Sequence, residues 1–226
     1  MGRAKMTKIL LSYPLSKNTP TYGNRNRVVL AKISDIKAGD IANDTFISMS
    51  VHCGTHIDMP RHFFADGQTW SDFPLEYWNF INPLFIEIDS DNLIIKDELI
   101  TMLEKVYYKD SVDILIVKTG ACHKRTELKT VMNNYGFHPD TASYIRKRFH
   151  NVRAFGFDSL SVSSYTDRMT GRMAHKQFLS PDKPILLIED MNLTEISTVN
   201  TLKRVDIAPL FIEHSDAVPC TVFAEI

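Results

Sequence analysis

Short runs rich in β-branched and aromatic residues recur along the whole chain, over 7–13, 25–34, 46–58, 83–89, 112–118, 152–158, 184–189, 204–213 and 218–226, and they predict strands. Helical periodicity appears between them at 97–108 (DELITMLEKVYY), at 126–135 and at 139–149, where Pro139 suits a first helical turn. Most gaps between strands lack the regular helix of a doubly wound sheet. The pattern therefore predicts a mixed α/β fold with a sheet-rich, barrel-like core and a few peripheral helices. No repeat, low-complexity tract or Gly/Ser linker interrupts the 226 residues, so one domain over 1–226 is the simplest organisation.

One of these runs carries chemistry. Over residues 47–59 the odd positions are Ile47, Met49, Val51, Cys53, Thr55, Ile57 and Met59, mostly apolar, and the even ones include Ser48, Ser50, His52, Gly54, His56 and Asp58. Read as a strand, this alternation sends the odd set, Cys53 included, into a core and gathers His52, His56 and Asp58 on the opposite face. Gly54 leaves room between the two imidazoles, and Pro60 ends the strand and turns the chain towards His62. A lone buried histidine is usually a hydrogen-bonded core residue. Three of the chain's eight histidines within eleven residues, with an aspartate at matching parity, are better explained by a divalent cation, because burying each polar group unpaired costs roughly 1–3 kcal/mol.

Composition narrows the possibilities further. With 26 Lys+Arg against 27 Asp+Glu, the chain lacks the positive footprint of a nucleic-acid or anionic-membrane binder, and a small-molecule substrate is the expected partner. No segment approaches the roughly 18 uninterrupted apolar residues of a membrane span, and MGRAKMTKILLSYPL has too short an apolar run for a secretory signal. A cytoplasmic location is the expectation. The three cysteines, Cys53, Cys122 and Cys220, are odd in number and far apart, so neither a disulfide framework nor a thiolate knuckle is indicated. Two imidazoles and a carboxylate then suit Zn²⁺ or Mn²⁺ with a coordination position left open for water, as in catalytic sites.

The stretch HCGTHIDMPRH at 52–62 resembles the HxGTHxDxPxH pattern of the metal-dependent cyclase-like hydrolases, the family of bacterial kynurenine formamidase and isatin hydrolase. SYPLSKNTP, HFFADG, Thr119–Gly120, FGFDSLS at 155–161, AHKQFL at 174–179, LIEDMNL at 187–193 and IAPL at 207–210 fall in the same family's order. The resemblance implies a swivelling β/β/α cyclase-like fold. It also implies a centre of one or two ions, with His52, His56 and Asp58 as ligands and His175 and Glu189 completing it, and His62 as the proton-transfer residue. The implied reaction is attack of metal-activated water on an amide, lactam or ester carbonyl of a small aryl or cyclic substrate, in the manner of an arylformamidase, by a homo-oligomer. Alone, Glu189 at the end of an apolar strand reads equally as a rim charge, and His175, after a polar loop and at the start of a short helical stretch, reads as a surface or capping residue.

Other residues carry less. Tyr22 is a pocket or subunit-contact candidate by family analogy. Phe63, Phe64, Trp70, Tyr77 and Trp78 follow the motif closely; core packing is the commoner role for such a group, while Phe63 and Trp70 could wall an aromatic pocket. Met59, Arg61 and the polar stretch 161–173 depart from the family pattern and are expected near the substrate. Asp158 reads as a structural hydrogen-bond acceptor, and His123, His138, His150 and His214 as surface or capping groups. Two other functions share the same ligands: ring closure or dehydration of a natural-product intermediate, and metal-stabilised binding without turnover.

Overall fold

The computed structural model describes residues 7–199 and 202–226. Thirteen strands occur in chain order: β1 (Lys8–Leu10), β2 (Val29–Ser34), β3 (Asp44–Ser48), β4 (His56–Asp58), β5 (Asn79–Phe80), β6 (Pro83–Glu87), β7 (Ile94–Ile95), β8 (Ile114–Lys118), β9 (Gly136–Phe137), β10 (Ala154–Phe157), β11 (Leu186–Glu189), β12 (Arg204–Pro209) and β13 (Ala217–Glu225). Among the described residues four α-helices accompany these strands: α1 (Asp97–Glu104), α2 (Leu128–Met132), α3 (Pro139–Arg148) and α4 (Arg168–Phe178).

Nine strands form one mixed sheet in the order β5-β12-β13-β4-β11-β10-β8-β6, with β1 paired to β13, and the sheet curls into a nearly closed barrel. Its two halves differ in construction. From β6 to β11 the neighbours are parallel, and α1, α2 with α3, and α4 fill the successive crossovers. Every residue of β8, β10 and β11 is buried, as a parallel sheet covered on both faces requires. The other half, from β4 through β13 to β12, is antiparallel. β4 is the seam, antiparallel to β11 on one side and to β13 on the other.

One apolar cluster runs beneath both halves, with Ile57, Phe155, Phe157, Ile188 and Val218 at its centre. β2 and β3 form a separate hairpin whose Ile33, Phe46 and Ile47 are exposed. Among the described residues no helix is long and apolar enough to cross a membrane.

Two expectations need correction. The alternating strand predicted over 46–58 is interrupted: β3 ends at Ser48, residues 51–55 form turns and bends, and only His56–Asp58 is strand. Gly54 is the physical reason, since its φ of +67° is left-handed, a conformation that breaks extended pairing. The polar stretch before His175 is only partly loop. Residues 161–167 are loop and turn, but 168–173 open α4, with Asp167 capping the Thr170 N–H at 3.1 Å, and His175 lies in the last turn of that helix instead of starting one.

Candidate metal centre

The site forms where the seam strand meets the carboxyl end of the parallel half, the usual place for a ligand site in an α/β sheet. Register does the first part of the work. His56 on β4 pairs directly with Glu189 on β11, and Asp58, two residues on, shares the face of His56, while Ile57 between them points into the core. α4 brings His175 in from above. Gly171 makes that approach possible: a Cβ there would fall 1.5 Å from Ser163 Oγ, so only glycine lets the helix lie this close to the 161–164 loop.

Two carboxylates face the histidines, Asp58 three of them and Glu189 two. Asp58 Oδ1 lies 2.9 Å from His52 Nδ1 and 3.4 Å from His56 Nε2, and its Oδ2 lies 3.5 Å from His175 Nε2. Glu189 repeats the arrangement, with Oε2 3.3 Å from His56 Nε2 and Oε1 3.8 Å from His175 Nε2. The outer nitrogens are already committed. His56 Nδ1 donates to Gly54 O at 2.8 Å and His175 Nδ1 to Gly171 O at 2.9 Å, which fixes the tautomers and turns both Nε2 lone pairs inward.

These inward atoms have ion-pair proximity without hydrogen-bond alignment. Among the described residues, His56 Nε2 and both Asp58 oxygens are buried with no hydrogen-bond partner, and Gln68 Oε1 is the one other buried side-chain nitrogen or oxygen in that condition. Three such orphans touching one another would cost roughly 1–3 kcal/mol each. A divalent cation satisfies all of them, because lone pairs pointing at a common centre are ligands. The residues present fit a metal. Three triads have ligand atoms within 4.8 Å of one another: His52, His56 and Asp58; Asp58, His62 and His175; and His52, His62 and Asp216.

Electrostatics agree with the geometry. Burial disfavours charge on His52, but Asp58 and Asp216 override it and lift the imidazole to about 9. Burial likewise opposes charge on His56 and His175, yet the facing Asp58 and Glu189 carboxylates raise both. Asp58 is driven well below the ordinary carboxylate range despite complete burial, chiefly by the charges of His52 and His62.

Asp216 has no counterpart in the sequence reading. It precedes β13, and its Oδ2 accepts from His52 Nε2 at 2.9 Å and His62 Nδ1 at 3.0 Å, so one carboxylate orients two histidines. Those hydrogen bonds hold its own pKa down. His62 ends the single turn Pro60–His62 and packs edge-on against Phe63, which stacks on His175 at 4.6 Å.

A cavity of about 360 Å³ opens over the cluster. Tyr22 and Phe63 line it, as do Ser161, Ser163, Arg168 and Arg172 from the stretch expected near a substrate, and Arg25 from the N-terminal loop. Trp70 does not: its indole N–H donates to Ile212 O and its ring stacks on Phe211, which turns it away. Met59 is fully buried in the core and Arg61 is solvent-exposed, so neither borders the cavity. Cys53 is also displaced from expectation. The break at Gly54 puts it on the cavity wall, with Sγ 3.5 Å from Asn26 O. Asp158 accepts from Thr119 N, Thr119 Oγ1 and Cys122 N, a structural role, and His138 caps α3 through Asp140 N.

Comparison with known proteins places the chain. The Cyclase family model matches residues 9–164. The chain belongs to the Cyclase family. Kynurenine formamidase of Bacillus cereus is 30% identical over 161 residues, covering 70% of this chain and 71% of that protein. Among solved structures, isatin hydrolase A from Labrenzia aggregata, bound to benzyl benzoate, superposes with a TM-score of 0.78 at 19% identity over 98% of this chain and 94% of the other. A structure described as a potential metal-dependent hydrolase with cyclase activity gives 0.74 at 21% identity over 97% and 98%. The structural likenesses establish that this Cyclase chain has the cyclase-like fold.

Proposed function

We propose that the protein is a metal-dependent hydrolase that cleaves the carbon–nitrogen bond of a small aryl or cyclic amide, as an arylformamidase does, with lactams and esters as related substrates. The carrying observation is the convergence of two tautomerically fixed imidazoles on two buried carboxylates, of which Asp58 has no hydrogen bond and Glu189 has donors on one oxygen only. His52, His56, Asp58, His175 and Glu189 would hold one or two ions, zinc or manganese by donor type. Such an ion supplies Lewis-acid polarisation of a carbonyl oxygen and lowers the pKa of water. A homo-oligomer working in the cytoplasm on a small molecule remains part of the reading.

The chain's own residues do the rest. His62 stands beside the cluster with Nδ1 committed to Asp216, which leaves Nε2 as the nitrogen that takes a proton from the attacking water. The same imidazolium returns that proton to the departing amine nitrogen, and the Asp216 carboxylate stabilises the positive charge in between. Phe63, stacked on His175 and packed on His62, keeps bulk water from one side of the exchange.

The deciding experiment is elemental analysis of gently purified protein, paired with turnover of N-formylkynurenine and isatin before and after chelation and metal restoration. One or two ions per chain with chelator-sensitive hydrolysis are expected. Absence of any bound metal, or hydrolysis indifferent to chelation, would overturn the reading.

A further inference from the structure

Three arginines rim the cavity with no acid to meet them. Arg168 and Arg172 stand one turn apart on α4, and His175 continues the same face at the spacing i, i+4, i+7, so the helix side that reaches the metal cluster also carries two guanidiniums to its mouth. Arg25 lines the same cavity and donates to the Tyr165 hydroxyl at 3.3 Å. Among the described residues none of the three forms an ion pair, and α4 itself contains no acidic residue. The acids of the cavity wall, Asp58 and Glu189, lie in the cluster, where an ion would neutralise them.

We infer that the substrate is a net anion, a small amide, lactam or ester bearing a carboxylate that Arg168 and Arg172 receive while the scissile carbonyl lies over the metal cluster. This rests on the hydrolase reading above and narrows it. A neutral lactam gains nothing from three guanidiniums, and a zwitterion brings an ammonium into the same positive field. A carboxylate matches the planar donor fork of arginine, and the field of the rim raises its local concentration. The cavity of about 360 Å³ accommodates one aryl ring with its acid group.

The test compares 3-formamidobenzoate with 3-formamidobenzamide, which differ in charge and hardly in size. Hydrolysis adds water across the formamide C–N bond, releasing formate and the aryl amine from either. The wild-type protein is expected to favour the anion in kcat/KM by about tenfold or more, and Arg168→Gln/Arg172→Gln to erase that ratio mainly through KM, with bound-metal content unchanged. Equal turnover of the two amides, or a preference that survives the double substitution, overturns the inference. Should neither amide be hydrolysed, titration calorimetry with benzoate and benzamide decides separately. Tighter benzoate binding that disappears in the double variant upholds the anion site whatever the metal and chelation experiment decides for the hydrolase reading, and benzoate binding that is absent or insensitive to the substitutions overturns the anion site.

Discussion

Glu189 and Asp190 are neighbours in sequence and both are buried, yet they end in opposite circumstances. Asp190 meets Arg125 through two parallel contacts, Nε to Oδ1 at 2.6 Å and Nη2 to Oδ2 at 2.5 Å, and Tyr13 stacks beneath the guanidinium. Its pKa still rises because burial outweighs the arginine. Asp158 is satisfied three times over by backbone and hydroxyl donors. On the other side of β11, Glu189 has Val162 N and Ser161 Oγ on one oxygen only, and Asp58 has no hydrogen bond at all. Within one barrel, then, some buried acids are closed by protein donors and others are left for something absent from the chain. The difference separates scaffold from chemistry more sharply than burial does, since all four acids are almost fully buried.

The largest test of that contrast is Asp58→Ala, which removes the carboxylate facing both His56 and His175. Wild-type protein given a divalent ion at about a hundred times its Kd should gain about 2.7 kcal/mol, or roughly 5–10 °C in Tm, and the variant should gain nothing by calorimetry. The sign of the pH dependence follows from His52. Its folded value of about 9 exceeds the ordinary 6.5, so its proton stabilises the ion-free fold fully below pH 6.5, and that support fades as pH rises through 9. An ion must displace the proton, so apparent metal affinity should strengthen across the same window. Affinity that weakens with rising pH there would contradict this picture. Next in size, His62→Ala should lower turnover by about 10²–10⁴-fold while retaining metal, measured as kcat against ion content.

Closing the scaffold acids wrongly should cost stability and leave the ions in place. Arg125→Met keeps the volume of the side chain but strands Asp190 as an unpaired buried charge, so chemical denaturation should register a loss of about 3–5 kcal/mol. A loss below about 1 kcal/mol would mean that Asp190 is already neutral and the pair contributes little.

What the amino-acid pattern revealed follows the same division. The fully buried, mainly apolar strands β8, β10 and β11 were legible because period and composition agree there. His52, His56 and Asp58 were legible as a cluster although the strand that seemed to align them is broken at Gly54: a turn followed by a three-residue strand brings the same side chains together. α4 was not legible. Its buried positions are Gly171, Ala174, His175 and Phe178, a helical spacing with one large apolar residue, because the helix packs close over a loop and a polar centre instead of a hydrophobic core. Missing it concealed the crossover between β10 and β11 and made the fold look poorer in β-α-β units than it is. Asp216 escaped for another reason: a lone acid in the sequence HisSerAsp before a strand reads as an ordinary turn, and only the pairing of β13 with β4 brings it to His52 and His62.

Asp216 lies between the two classes, partly exposed and engaged through Oδ2 by two histidines. Asp216→Asn keeps the shape and removes the charge that orients His52 and His62 together. Losses of about 10–100-fold in metal affinity or kcat are expected, with Glu restoring part of the function and Asn none. An effect confined to Tm would demote it to a structural acid.

The smallest expected effect probes how securely Asp158 is closed. Thr119→Val keeps the shape of a β-branched residue and deletes the hydroxyl that reaches Asp158 Oδ1 at 2.8 Å, while the backbone N–H groups of Thr119 and Cys122 remain on the two oxygens. Each carboxylate oxygen keeps a donor, while the Ala121 N–H loses the same hydroxyl as its acceptor at 3.3 Å, and the cost should be about 1.5–3 kcal/mol. Metal content and turnover should stay at wild-type values, since Asp158 does not border the cavity. A variant that instead lost metal would show that the scaffold acid and the metal-facing acids are one coupled network, and the distinction drawn between them would fail at its best-satisfied member.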